Sequence, residues 1–261
     1  MVRVCVLFAA GTNCDEEARV AFELAGAEAE NIHINQLRDR PELLRDYHIL
    51  MLPGGFSYGD YISSGRILAN ELIHHLKGEL LRFHSGGKLI LGVCNGFQVL
   101  VKAGLLPAFD ELFEPQVVTL DGNTSGRFED RWVWLRTEDS PCVFTRGHDP
   151  LVFLPVAHAE GRFMTRDRAV LRRLKQDGLV VFRYVTEDGD AANYPANPNG
   201  STDGIAAVCD PSGRIMGMMP HPERFTRTEH HPHWHRDRLT KPSGMAIFEN
   251  AVRYAQQELD A

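Results

Sequence analysis

Apolar positions in residues 1–105 come in short runs, separated by longer stretches in which they recur every three or four residues. That alternation is the pattern of βαβ units feeding a parallel sheet. Val2 to Phe8 reads as a buried strand. Asp15 to Ala25 sets Ala18, Phe22 and Ala25 at helical spacing, with Gly26 just beyond as a stop. Asn31 to Asn35 reads as a second strand, and Tyr47 to Leu52 as a third ended by Pro53-Gly54-Gly55. Ile67 to Phe83 carries a helical repeat that stops at Ser85-Gly86-Gly87, and Lys88 to Val93 is a fourth strand.

After Pro107 the texture changes. PQVVTLD, RWVWLRT, VFLPVAHAEGRF, LVVFRYVT, GIAAVCD and RIMGMMP are short β-rich runs divided by turn residues, and only Arg168 to Gln176 and Ser243 to Leu259 keep a helical repeat. No repeat, low-complexity tract or linker divides the chain. The expected architecture is therefore one α/β domain over residues 1–261, a doubly wound, mostly parallel sheet to which the second half adds strands.

Composition narrows the class of function. With 43% hydrophobic and 24% charged residues the chain has enough apolar material for a large core. A formal net charge of -7 argues against a nucleic-acid binder, which needs clustered Lys and Arg. The five cysteines, Cys5, Cys14, Cys94, Cys142 and Cys209, show no paired spacing, so a reducing, cytoplasmic compartment is expected. The apolar run at the N-terminus is short and meets acidic residues directly, unlike a signal peptide. No stretch approaches the ~18 apolar residues of a membrane span, so no membrane partner is expected.

One stretch, LILGVCNGFQ at 89–98, combines the end of a strand with a cysteine between Gly92 and Gly96. A strand that turns into a helix through G-x-C-x-G resembles a nucleophile elbow, which lifts the reactive side chain above the sheet. The following helix points its N-terminal amides at the Cys94 sulfur, favouring the thiolate. The base that such a thiol needs is found in GMMPHPER at 217–224, where His221 stands between two prolines with Glu223 two positions on. His221 would move protons and Glu223 would orient it. Amides of the PGG at 53–55, with that of Asn95, would serve as oxyanion donors.

Other features carry less. EHHPHWHR, with His230, His231, His233 and His235, suggests zinc, but four ligands around a proline in six residues cannot easily wrap one ion; a loop packed by Trp234 against a partner is the better reading. AAGTNCDEEA lacks G-x-G-x-x-G spacing, and its acidic run would repel a phosphate. HAEGRF and NPNGS are either ordinary hairpin loops or, through Arg162, Asn197 and Asn199, a surface for a partner or an ammonia exit. Cys5, Cys14, Cys142 and Cys209 read as small core residues with no chemistry.

Taken together, GTNCDEEA, PGGFSYGDY, GVCNGFQVL, GLLP, PVAHAEGRF, FRYV, YPANPNGS and GMMPHPER resemble the class I glutamine amidotransferases, and within them the glutaminase subunits of phosphoribosylformylglycinamidine synthase, over nearly the whole chain. The segment at 62–67 and Ala159 depart from that family's pattern. The resemblance implies a flavodoxin-like fold and hydrolysis of L-glutamine to glutamate and ammonia through a cysteine thioester. Cys94, His221 and Glu223 fall on the family's catalytic positions, and Gly54, Gly55, Phe56, Asn95 and Gln98 on its oxyanion and glutamine pocket. It implies no metal or cofactor in this chain. ATP and Mg belong to the partner, a synthetase subunit that makes the amidine of formylglycinamide ribonucleotide in purine biosynthesis, with a third small subunit left open. Two readings compete with it: another cysteine hydrolase on a similar sheet, in which His221 would be dispensable, and a docking module without turnover.

Overall fold

The structure, a computed structural model, describes residues 1–236 and 241–259. Its N-terminal part runs β1 (Arg3–Phe8), α1 (Asp15–Leu24), β2 (Glu28–His33), α2 (Ile34–Asp39), β3 (Ile49–Leu52), α3 (Arg66–Glu71), α4 (Lys77–Ser85), β4 (Leu89–Val93) and α5 (Asn95–Lys102). Its second part adds β5 (Val118–Asp121), β6 (Glu129–Thr137), β7 (Leu151–His158), β8 (Arg162–Thr165), α6 (Arg168–Gln176), β9 (Val180–Val185), β10 (Ile205–Cys209), β11 (Ile215–Met218) and α7 (Met245–Glu258).

Nine strands form one sheet in the order β2-β1-β3-β4-β11-β10-β9-β6-β7, with β5 and β8 paired separately. From β2 to β11 all neighbours are parallel, and from β11 to β7 each pair is antiparallel. The sheet is α/β and mostly parallel, and the second half extends the first-half sheet as the β-rich runs suggest. Strands β3 and β4 are buried at every residue, as parallel strands covered on both faces must be. Phe22 of α1 meets Phe248 of α7 edge-on at 4.9 Å, which ties the C-terminal helix to the N-terminal one.

Two elements differ from the sequence reading. The second strand covers 28–33 and not 31–35, because a helix begins at Ile34. His33 caps it: its Nδ1 accepts the Asn35 amide, and the Gln36 side chain accepts the His33 amide. The long helix over 67–83 is two helices joined by a π turn at Leu72–Leu76.

The antiparallel half curls. Pro155 and Ala157 of edge strand β7 reach the ends of β4 and β11, since the Pro155 carbonyl accepts the His221 amide at 2.8 Å and the Ala157 carbonyl is 3.7 Å from the Cys94 sulfur. This curl closes one wall over the strand ends where an α/β sheet offers its crevice.

Candidate active site

Cys94 joins β4 to α5 with φ 51° and ψ -106°, a conformation a non-glycine residue holds only when its surroundings impose it. The Cys94 amide donates to the Met218 carbonyl of β11 at 2.7 Å, pinning the turn from one side. From the other, a Cβ on Gly96 would run into the Leu52 carbonyl of β3, and one on Gly92 would lie 2.7 Å from the Gly96 carbonyl oxygen. Only glycine lets the strand, the turn and the first helical turn approach this closely. The sulfur is thereby carried to the N-terminal end of α5.

Strand β11 runs parallel beside β4, Met218 opposite Val93, so the chain leaving β11 emerges next to the cysteine turn. Pro220 and Pro222 stiffen this exit and His221 lies between them. His221 Nδ1 and Glu223 Oε1 are 2.6 Å apart and both residues are buried, while His221 Nε2 has no hydrogen-bond partner. With Nδ1 held by the carboxylate, Nε2 is the nitrogen left for chemistry. Burial acts to lower the His221 pKa, but the Glu223 carboxylate and the Cys94 sulfur outweigh it and raise the pKa well above its ordinary value.

A cavity of about 300 Å³ opens at this junction, with Cys94, His221, Gly55, Phe56 and Gln98 in its wall. Among the described residues the amides of Gly55 and Asn95 have no hydrogen-bond partner, which leaves both as donors for an oxyanion. The Phe56 amide donates to the Gly11 carbonyl, so Phe56 contributes its ring to the wall and no donor. Gly54 is not in the wall: its carbonyl accepts the amides of Asn13 and Cys14. A Cβ there would lie 2.7 Å from His221 Cε1, so this glycine leaves room for the imidazole. The Asn95 side chain works as a brace, accepting the Ser57 amide and donating to Asp60 and Gln98.

The far wall is held by a buried polar network. Asn123 binds the Gly161 amide and the His158 carbonyl, Asn199 donates to Tyr184 Oη at 3.2 Å and lies 3.4 Å from His158 Nε2, and Ser201 donates to Asn199 Oδ1 at 2.6 Å. Burial, and the charge of His221 after it, push the His158 pKa down to about 3, so His158 serves as a neutral strut. Asn199 is thus a buried pin that reaches His158 of HAEGRF, Asn197 is buried and holds its own loop by accepting the Gly200 and Ser201 amides, and Arg162 is half-buried and paired with Asp121.

Two residues of the site are corrections to the sequence reading or absent from it. Cys14, expected to be an inert core thiol, lines the cavity, and Arg224 Nη2 reaches its sulfur at 3.1 Å. Arg224 follows directly on the His-Pro-Glu stretch, a position that could have drawn notice. The His-rich segment also differs: Trp234 is 55% exposed, whereas His231 is buried against Trp132, Phe153 and Phe225. His231 packs the loop.

These features, a strained cysteine turn facing His221 across one cavity, a buried carboxylate behind that histidine and free amides at Gly55 and Asn95, fit the amidotransferase class. Residues 1–255 match the model of the CobB/CobQ-like glutamine amidotransferase domain, and the chain belongs to that family. Within it, the chain is 47% identical to the phosphoribosylformylglycinamidine synthase subunit PurQ of Dehalococcoides mccartyi, over 98% of each chain. It is 43% identical to the subunit of the same name from Archaeoglobus fulgidus, over 85% of this chain and 87% of that one. Among solved structures, a chain of PurLQS from Thermotoga maritima superposes with a TM-score of 0.72 and 32% identity, covering 97% of this chain and 98% of that one. The glutaminase domain of Trypanosoma brucei CTPS shares the fold alone, at 17% identity and a TM-score of 0.58 over 97% of this chain and 94% of that one.

Proposed function

We propose that this chain is the glutaminase subunit of phosphoribosylformylglycinamidine synthase in purine biosynthesis. It hydrolyses L-glutamine and delivers the ammonia to a synthetase subunit, with a small third subunit completing the complex. The observation that carries the chemistry is the meeting of Cys94 and His221, its Nε2 unpartnered, in the wall of one cavity, with the buried Glu223 bonded to Nδ1 behind it. The partners rest on the near full-length similarity to PurQ subunits and to the PurLQS chain.

In this reading the Cys94 thiolate adds to the carboxamide carbon of glutamine, and the Gly55 and Asn95 amides receive the negative charge that develops on oxygen. His221, held protonated beside Glu223, passes its Nε2 proton to the amide nitrogen; the C–N bond breaks and ammonia leaves. A water then gives a proton to the neutral Nε2 while its oxygen attacks the thioester, and glutamate departs as the thiolate reforms. Glu223 keeps Nδ1 bonded throughout, so Nε2 carries the mobile proton in both steps. ATP and Mg are assigned to the synthetase, where the ammonia is used. The five free cysteines suit a reducing cytoplasm, and no helix among the described residues is long and apolar enough to cross a membrane.

Glutamate release from glutamine tests this directly, measured for the full chain with and without the synthetase. Wild type is expected to turn over, faster with the partner, and Cys94→Ala and His221→Ala to lose activity while still binding it. Unchanged release by His221→Ala would favour a hydrolase whose base lies on another loop, and no release by wild type in the complex would leave a docking module.

A further inference from the structure

We propose that Asp60 and Glu160 form the anchor for the α-ammonium group of the substrate, so that the cavity selects free L-glutamine over carboxamides that lack an α-amino group. The anchor rests on the amidotransferase reading and adds to it two specificity-determining residues. Both carboxylates belong to residues in the wall of the Cys94 cavity, with Ser64 between them. The Glu160 side chain accepts the Ser64 amide at 3.3 Å and Asp60 accepts the Ser64 hydroxyl, so one buried serine holds two acids side by side. The pair is one side chain away from the nucleophile. Asn95, next to Cys94 in the chain, donates to Asp60 at 3.3 Å and to Gln98 at 3.0 Å, and Gln98 donates to the Glu160 carbonyl at 2.6 Å. In glutamine the α-nitrogen stands about 5 Å from the carboxamide carbon, a reach of the same order.

Charge selects the ligand. The cavity wall includes the acids Asp60, Asp130 and Glu160, whereas its cations are already engaged, Arg224 on the Cys14 sulfur and His221 with Glu223. Behind the acid pair stands Lys102, buried at the end of α5, which donates to Ser63 Oγ and the Ser64 carbonyl and is not part of the cavity wall. Lys102 fixes the serines that position the acids, and its single positive charge answers only one of the two. Burial pushes the Asp60 pKa up and the Glu160 charge adds to it, against the Ser64 and Gly65 hydrogen bonds that lower it, as expected of neighbouring acids short of a counter-ion. An ammonium brings one positive charge and three donors, which suits a pair of carboxylates with acceptor sites to spare. The turn that carries Asp60 and Ser64 sits directly on α5, since a Cβ on Gly65 would lie 3.0 Å from the Val99 amide nitrogen.

The test compares two carboxamides on the full chain in complex with the synthetase: L-glutamine, and glutaramate, which has the same carboxamide and carboxylate but no α-amino group. Wild type is expected to prefer glutamine by at least ~100-fold in kcat/KM, because glutaramate leaves both acids without their partner. Asp60→Asn and Glu160→Gln keep side-chain shape, and a matched thermal melt certifies the fold of each. Each should raise KM for glutamine by about tenfold or more with kcat changed by less than about threefold, as for an interaction made equally in ground and transition states. The preference for glutamine should narrow to under about tenfold in each variant, the loss falling on glutamine. A merely structural role would slow both substrates alike. That outcome, or a wild type that uses both amides equally well, would overturn the anchor and leave the glutaminase reading in place; a wild-type complex that releases no glutamate would overturn the reading and the anchor together.

Discussion

The two walls of the cavity are built by different physics. The parallel half fixes the Cys94 turn by backbone against backbone, with Gly96 on the Leu52 carbonyl and Gly92 on the Gly96 carbonyl. The antiparallel half fixes its wall by buried side-chain hydrogen bonds among Asn123, His158, Tyr184, Asn199 and Ser201. The first arrangement fails when an atom is added and the second when one is taken away. His221 joins them, since its amide is bonded to β7 of the antiparallel half while its ring lines the same cavity as the cysteine of the parallel half.

Adding one methyl group at Gly96 is expected to be the most damaging change. No rotamer relieves a clash with a backbone carbonyl, so Gly96→Ala should lose more than ~4 kcal/mol and yield little folded protein, read by denaturant unfolding and soluble yield. A stable, folded Gly96→Ala would break the backbone half of the contrast.

Next comes the link between the walls. Glu223→Gln should keep the fold but lower glutaminase activity by about 10²- to 10⁴-fold. Burial would then act on His221 with only the cysteine sulfurs opposing it, so its titration should fall from its raised wild-type position. The sign for stability follows from the raised wild-type value. The contribution of protonated His221 is complete below its unfolded pKa and is lost as pH rises through the folded one. Wild type should therefore lose stability on the alkaline side by a step absent from Glu223→Gln, measured by urea unfolding across pH.

Removing polar atoms from the far wall should cost less. Asn199→Ala strips partners from Ser201 and Tyr184 and should destabilise by about 2–3 kcal/mol, with KM for glutamine raised and the Cys94 turn intact. A purely additive, structural effect with KM unchanged would separate this network from the cavity.

The contrast also accounts for what could be read from the chain. Backbone-built features leave local signatures: glycines around Cys94, prolines around His221, apolar runs for β3 and β4. Strand β2 was displaced in the sequence reading because at the sheet edge it carries mixed residues, and its end is set by the His33 cap. The pins Asn123, Asn199 and Ser201 act across 35 to 41 residues of chain, and no spacing rule reaches that far. The place of Cys14 in the cavity escapes any spacing rule for the same reason, since its neighbours Arg224 and His221 come from the other end of the chain and only the parallel pairing of β4 with β11 brings them near.

The central claim is that Cys94, alone among five buried cysteines, is the nucleophile that meets the glutamine carboxamide. Its most direct test is peptide mapping after incubation with a glutamine analogue that bears a diazoketone in place of the carboxamide. One adduct, on Cys94 only, blocked by excess glutamine and lost in His221→Ala, is the predicted result; an adduct on Cys14, or none with glutaminase activity intact, would contradict it.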